Sequence, residues 1–370
     1  MFFVASPLHY LAAQRVAADH EAAARRVLVY YNRALRPLVR AEPWDAVLYM
    51  PWPRFEPLPG PFGGHRRLLE NLDRVAAAVG SCDTLVLHSP VYDTEAINYF
   101  LRALPRRAGA RTMHARILPD GLLNIERYPL SRARRLAQSV RKLRRLVSPE
   151  LDYWTFSGDR IGSDAPFVDR IYVLSGFPHC YRAQRVVRLA PLVPPAQGPE
   201  QDRVPSETEQ DRVPSETEQD RVPSETGSPT RACAGMPARR ALVVGQPLVG
   251  FGLMDEADRA QVAASIASWL SAQGIAVVDY KAHPREGAAH DLWQAGYRLL
   301  EIDEPIETWM AHSDYAVVVG CCSTALFIAR EIYGARARVA AFGVERVRFK
   351  GAGKRESTLR LMRALAIEIH

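Results

Sequence analysis

Apolar residues along this chain alternate between short unbroken runs and longer stretches where they recur every three or four positions. In the first half the runs are Phe2–Ala5, Arg26–Tyr31, Asp45–Met50, Thr84–His88, Met113–Leu118 and Ile171–Leu174. Short runs rich in β-branched residues predict buried strands. Between them, helical spacing predicts helices from Pro7 to about Ala18, over His65–Ala78, and from about Thr94 to Ala103. Ser6 supplies a cap for the first of these, and Pro7 suits its first helical position. The alternation returns at Ala241–Val244, Ile275–Tyr280, Tyr297–Ile302, Tyr315–Gly320 and Arg338–Phe342. Helices are expected over Asp255–Gln273, from Pro305, over Ala325–Tyr333 and over Glu356–Ile367. Strands and helices taking turns predict a parallel sheet covered by helices, here twice over.

Two stretches depart from this pattern. Residues 200–226 are three identical copies of Glu-Gln-Asp-Arg-Val-Pro-Ser-Glu-Thr. Each has one Val, no aromatic and a helix-breaking Pro, so the repeat cannot bury a core and is expected to be a disordered linker. The expected organisation is an α/β domain over 1–190, a linker over 191–238, a second α/β domain over 239–354 and a closing helix over 355–370. The other departure is Ser131–Arg145, with seven basic residues and no acid. Leu136, Val140 and Leu143 fall on one side of the helix it would form. That suits either a surface helix packing one stripe or a helix lying on an anionic membrane.

Charge sharpens the picture. The chain of 370 residues has a net charge of +7. Each repeat copy carries three acids and one Arg, so the three contribute −6 and the rest of the protein carries +13. A body that basic suits an acidic small molecule, a nucleotide or an anionic surface. The five cysteines, Cys82, Cys180, Cys233, Cys321 and Cys322, are scattered and odd in number. They form neither a disulfide framework nor a zinc spacing, and they fit a reducing cytosol. The amino terminus lacks a positive n-region and reads as strand and helix, and no run reaches 18 apolar residues.

Candidate chemistry sits at strand ends, where α/β sheets hold their ligands. His283 closes the Ile275 strand, with Pro284 holding it extended. Ser323 and Thr324 turn a strand into a helix whose free N–H groups suit an anion, though an ordinary N-cap would look the same. Glu307, at a helix start, is either placed for the helix dipole or positioned to accept two ribose hydroxyls. Asp120, before Gly121, is either a turn residue or a general base.

The order of these motifs carries more than any one of them. Asp120-Gly121, then His283-Pro284, Pro305-Ile306-Glu307 and Ser323-Thr324 resemble the bacterial GT-B sialyltransferases, including the lipooligosaccharide and polysialic-acid enzymes. Those have an acid-acid-Gly motif in the first domain, then His-Pro and a Ser-Ser/Thr pair in the second. Ser6-Pro7-Leu8 and Gly245-Gln246-Pro247 also look like family features. The resemblance covers both domains except the linker, by motif and order and not by extended identity. It implies two Rossmann-like domains facing a cleft, the GT-B architecture. It further implies an inverting, metal-independent transfer from CMP-sialic acid, or a related CMP-nonulosonate, to a sugar hydroxyl of a surface glycan.

In that scheme Asp120 is the general base, and His283 protonates or hydrogen-bonds the leaving phosphate. Ser323 and Thr324 bind the phosphate, Glu307 holds the ribose, and Gly245, Gln246 and Pro284 complete the CMP site. Ser6, Pro7 and Gly121 lie on the acceptor side. No cofactor, metal or nucleic acid is implied; the expected location is cytoplasmic, and the membrane reading of Ser131–Arg145, one of its two, would add a peripheral contact. One departure stands out: Pro119 replaces the family's first acid. Three alternatives remain open. They are a transferase using another CMP-sugar such as CMP-Kdo, a CMP-sugar-binding protein without catalysis, and a metal-dependent hydrolase built on His283 and His290. Deleting residues 200–226 should leave folding and CMP binding nearly unchanged, because loop length alters closure entropy by only about 0.6 kcal/mol per doubling. An insoluble deletion variant, or one unable to bind CMP, would contradict this.

Overall fold

The computed structural model describes residues 1–120, 127, 129–192, 239–283, 285–287, 290–302, 304–349, 351 and 353–370. Gly121, Pro284 and the repeat at 200–226 therefore lie outside the described residues.

The first domain runs β1 (Phe2–Val4), α1 (Pro7–His20), β2 (Val27–Tyr30), β3 (Ala46–Tyr49), α2 (Gly63–Val79) and β4 (Thr84–Ser89). It continues with α3 (Glu95–Asn98), α4 (Phe100–Ala108), β5 (Thr112–Ile117), α5 (Arg132–Lys142), β6 (Val168–Val173) and β7 (Val186–Arg188). Its strands form one parallel sheet in the order β3-β2-β1-β4-β5-β6-β7. The second domain runs β8 (Arg240–Val244), α6 (Glu256–Ala272), β9 (Val277–Lys281), β10 (Arg298–Leu299), α7 (Ile306–Ala311) and β11 (Val317–Gly320). It ends with α8 (Thr324–Tyr333), β12 (Arg338–Ala341), α9 (Lys354–Ala364) and β13 (Glu368–Ile369). Its sheet, also parallel, has the order β10-β9-β8-β11-β12-β13.

Both sheets reverse direction once, at β1/β4 and at β8/β11. Strand order of this kind opens a crevice at the carboxyl ends of the two central strands. These are two Rossmann-like units, the GT-B architecture.

Local chemistry sets the element starts. The Ser6 hydroxyl accepts the His9 N–H at 3.2 Å to open α1, with Pro7 at its first position. The Asp255 carboxylate accepts from Asp258 to open α6, and the Ser323 hydroxyl accepts from Ala325 to open α8. The central strands are apolar throughout because helices cover both faces; β11 is buried along its whole length. At the opposite end of the second sheet, the buried Asp279 accepts from Arg240, Arg298 and Tyr315 at 2.6, 2.7 and 2.9 Å. Burial opposes its charge, but these three donors hold the carboxyl below its usual range.

The two domains share a core. Leu174, Phe177, Leu189 and Leu192 of the first lie in one apolar cluster with Leu326, Phe327 and Ile328 of α8. Phe177 and Phe327 meet edge to face with ring centroids 6.2 Å apart.

Differences from the sequence reading gather at sheet edges. The strand expected over Tyr297–Ile302 shortens to the two exposed residues of β10, which pair on one side only. The helix expected to close the chain stops at Ala364. Ala366, at φ 51°, turns the backbone into β13, which joins the second sheet. The single helix expected over Thr94–Ala103 is two, α3 and α4.

Glu331 of α8 links this shared core to pH. Burial pushes its carboxyl from an ordinary 4.5 up to about 7, with a backbone group of Leu192 opposing the shift. A raised folded-state value stabilises fully below the unfolded value, and the contribution is lost as pH rises through the folded one. Glu331→Gln should therefore lose less stability than the parent as pH rises from about 4.5 to about 7. Equal losses in thermal unfolding across that window would contradict the assignment.

Candidate functional site

The carboxyl end of β8 leads directly into Gly245 and Gln246, at the point where the second sheet reverses. The Gln246 side chain spans that point. Its amide oxygen accepts the Cys322 N–H at 3.1 Å, and its amide nitrogen lies 3.1 Å from Cys322 Sγ. The loop after β8 is thus tied to the β11–α8 turn that carries Ser323 and Thr324.

A second tie runs from Gln246 to β9. The Glu286 carboxylate accepts N–H groups from Gln246 at 3.1 Å, His283 at 2.6 Å and Asp291 at 3.2 Å, and the Tyr280 hydroxyl at 2.8 Å. Gly245 lies under this carboxylate. A Cβ there would fall 2.5 Å from the Tyr280 hydroxyl, 2.9 Å from the Lys281 carbonyl oxygen and closer still to Glu286. Only glycine leaves that space open.

His283 is half-buried. Its Nδ1 accepts the Arg285 N–H at 3.1 Å, which leaves the ring proton of the neutral form on Nε2. Burial lowers its pKa; the Glu286 carboxylate opposes that shift and Arg285 adds to it. The structure thus brings Gly245, Gln246, His283, Ser323 and Thr324 to one end of one sheet. The Ser323 hydroxyl also performs the ordinary capping role foreseen for it.

Glu307 stands apart from this network. It opens α7, which packs on α8, and it is buried. Burial raises its carboxyl pKa, with its own backbone N–H opposing. Among the described residues no hydrogen bond joins Glu307 to His283, Gln246 or Ser323.

In the first domain Asp120 follows β5, and His9 Nε2 lies 2.8 Å from its Oδ1. The Ala5 N–H donates to His9 Nδ1 at 3.3 Å, so the proton on Nε2 points at the carboxylate. Ser6 and Pro7 act one step back, by starting the helix that carries His9. Tyr31 is close by: burial first, then the Asp120 charge, raises its pKa. Among the described residues no hydrogen bond joins the His9–Asp120 pair to the second-domain group.

His9 and Glu286 are the residues that sequence reasoning missed. The signal for His9 was its place three residues after a capping Ser; for Glu286, its place three residues after His283. Among the described residues no three His, Cys, Asp or Glu side chains converge as metal ligands.

Two open parallel sheets, each with polar groups gathered where it reverses, define the GT-B architecture. Residues 188–340 match the family model for alpha-2,8-polysialyltransferase (POLYST), so most of the second domain is similar to that family. The match includes Gly245, Gln246, His283, Glu307, Ser323 and Thr324, and stops short of Asp120 and His9. No curated protein matches the chain.

Solved structures with similar folds include the glycosyltransferase SnogD from Streptomyces nogalater, at 16% identity and TM-score 0.39, over 100% of this chain and 95% of that one. Spinosyn rhamnosyltransferase SpnG complexed with thymidine diphosphate follows at 13% and 0.46, over 100% and 85%. A putative UDP-N-acetylglucosamine 2-epimerase from Listeria monocytogenes gives 10% and 0.41, over 92% and 78%. Likenesses at these scores carry no inference; the architecture rests on the strand order.

Gly245→Ala should displace the Glu286 carboxylate. It is expected to cost about 1–3 kcal/mol in chemical denaturation, as the N–H groups anchored on that carboxylate are disturbed. A variant as stable as the parent would contradict this reading of the network.

Proposed function

We propose that the protein is an inverting sialyltransferase that moves sialic acid, or a related nonulosonate, from its CMP conjugate to a sugar hydroxyl of a surface glycan. The observation that carries this is the coincidence of the polysialyltransferase match with a polar network at the switch point of the second sheet.

On this reading the CMP phosphate lies at the start of α8. There free N–H groups, the helix dipole and the Thr324 hydroxyl favour an anion. His283 faces the same phosphate. Its Nδ1 is already occupied as an acceptor, and an added proton there would meet the Arg285 N–H. That favours hydrogen-bond donation from Nε2 over transfer of a proton, one of the two roles expected of this residue. Glu307 is assigned to the ribose, whose hydroxyls its carboxyl oxygens accept.

In the transfer, the acceptor oxygen forms a bond to the anomeric carbon as the bond from that carbon to the CMP phosphate oxygen breaks. The acceptor proton passes to Asp120, and CMP leaves with both electrons of the broken bond. Attack opposite the leaving group inverts the centre. The helix end and His283 supply positive potential to the phosphate, so no metal or cofactor is assigned to the step. Pro119 in place of the family's first acid favours the second reading, a CMP-sugar-binding protein without catalysis. The His9 hydrogen bond weighs against it, because it orients Asp120 by another route.

Release of CMP from CMP-sialic acid, set against CMP-Kdo and with candidate acceptors added, tests the function. Asp120→Asn should lower turnover about a hundredfold or more, and His9→Ala about tenfold through lost orientation of the carboxylate. CMP affinity should hold in both. Full activity in Asp120→Asn would exclude it as the base, and no CMP release from any CMP-sugar would leave the binding-protein reading.

A further inference from the structure

Helix α5 is attached to the protein by the wrong side for an ordinary surface helix. Its polar face is the packed one. The buried Asp93 carboxylate accepts from Arg134 Nε at 2.7 Å, Gln138 Nε2 at 2.9 Å and the Tyr153 hydroxyl at 2.9 Å. Gln138, also buried, accepts the Phe156 N–H at 3.1 Å. Arg141 Nη1 donates to the Tyr153 hydroxyl at 3.2 Å, its carbonyl accepts from the Tyr99 hydroxyl at 3.2 Å, and Arg144 pairs with Glu95.

With residues 134, 138 and 141 turned inward, the apolar side is turned out. Leu136, Val140 and Leu143 are 67%, 59% and 59% exposed. At the end of the 3₁₀ turn Leu143–Leu146 that continues the helix, Leu146 and the capping Val147 reach 76% and 80%. The spacing 136, 140, 143, 147 is that of one continuous helical stripe. Five large apolar side chains left in water on one element are too many for chance exposure and mark a contact surface.

The flanks identify the partner. Arg132, Arg135 and Arg145 are exposed beside the stripe, and no acid occurs between residues 131 and 145. The surface extends beyond α5: His65 Nε2 lies 2.9 Å from Ser148 Oγ, directly after Val147. That contact brings in the segment before α2, where Phe62 is 83% and Phe55 75% exposed, with Arg54 against the Phe55 ring and Arg66 exposed. Apolar and aromatic side chains among cations, with the one acid of the second segment, Glu56, held by Arg33 and Tyr49, match the boundary between anionic headgroups and acyl chains. Among the described residues no helix is long and apolar enough to cross a membrane, so the contact lies on the surface.

We propose that α5 and its 3₁₀ extension dock on an anionic lipid bilayer, with the Leu136–Val147 stripe entering the acyl boundary and the flanking arginines against lipid phosphates. Asp93 is the fixture that holds the stripe outward. The Met50–Arg67 segment would meet the same membrane.

The test is cosedimentation of the full-length protein with phosphatidylcholine vesicles, with and without phosphatidylserine, at low and high salt. Binding is expected only where phosphatidylserine is present, and it should weaken as salt rises. Leu143→Ser with Val147→Ser should reduce binding about tenfold or more, since both side chains lose their insertion. Arg132→Glu with Arg135→Glu should abolish the preference for anionic lipid. All four positions are exposed, so thermal unfolding of the variants should match the parent.

Equal binding to neutral vesicles, no binding at all, or binding unaffected by the Leu143 and Val147 changes would overturn the proposal. So would a wild-type dimer in sedimentation velocity that those two changes dissociate, because the stripe would then be an interface between copies. CMP release toward a soluble acceptor should be unchanged in every variant, so failure here is separable from failure of the transferase reading.

Discussion

One carboxylate organises the second domain's site. Glu286 receives backbone N–H groups from Gln246, His283 and Asp291 and the Tyr280 hydroxyl, and so draws the β8 loop and the β9 loop onto one point. Hydrogen bonds to an ionised acceptor are the stronger kind. Four on one group make a rigid junction out of two loops that would otherwise be free to move. Gly245 must be glycine because this junction occupies the volume of its missing Cβ. Gln246 extends the junction across the sheet reversal to Cys322, and so to the start of α8. The orientation of His283 follows from the same anchor, since its backbone is one of the four donors.

The first domain solves a smaller version of the same problem. Asp120 is held by His9, whose tautomer is set by the Ala5 N–H and whose place is set by the Ser6 cap. Each half of the proposed reaction therefore has its own local scaffold at the carboxyl end of its own sheet. The shared apolar core around Phe177 and Phe327 joins the two domains, and α8 belongs to both that core and the proposed phosphate site. Glu331, on that helix, carries a carboxyl whose charge the core resists.

Much of the fold was legible in the chain because central strands of a parallel sheet are buried on both faces and read as unbroken apolar runs. The caps at Ser6 and Ser323 were legible because a side-chain oxygen before a helix has a local role, whereas Asp255, expected inside its helix, caps it. What escaped lies at edges. β7, β10 and β13 are two or three residues long and pair on one side, which leaves no period to detect. The site divided similarly. His283, Ser323 and Asp120 stood out by type and position, whereas Glu286 and His9 act through contacts that only folding creates. The basic helix was recognised, but its orientation was not, since nothing local reveals that Asp93, about 40 residues earlier, would capture Arg134 and Gln138.

The central claim is that CMP binds where the second sheet reverses, on the Gln246–Glu286–His283 junction and the start of α8. Amide hydrogen exchange with and without CMP tests it most directly. The account predicts new protection at Gln246, at His283 to Glu286 and at the first turn of α8, with UDP giving a weaker effect at the same places. Protection centred on the first domain, or none in these three segments at saturating CMP, would contradict it.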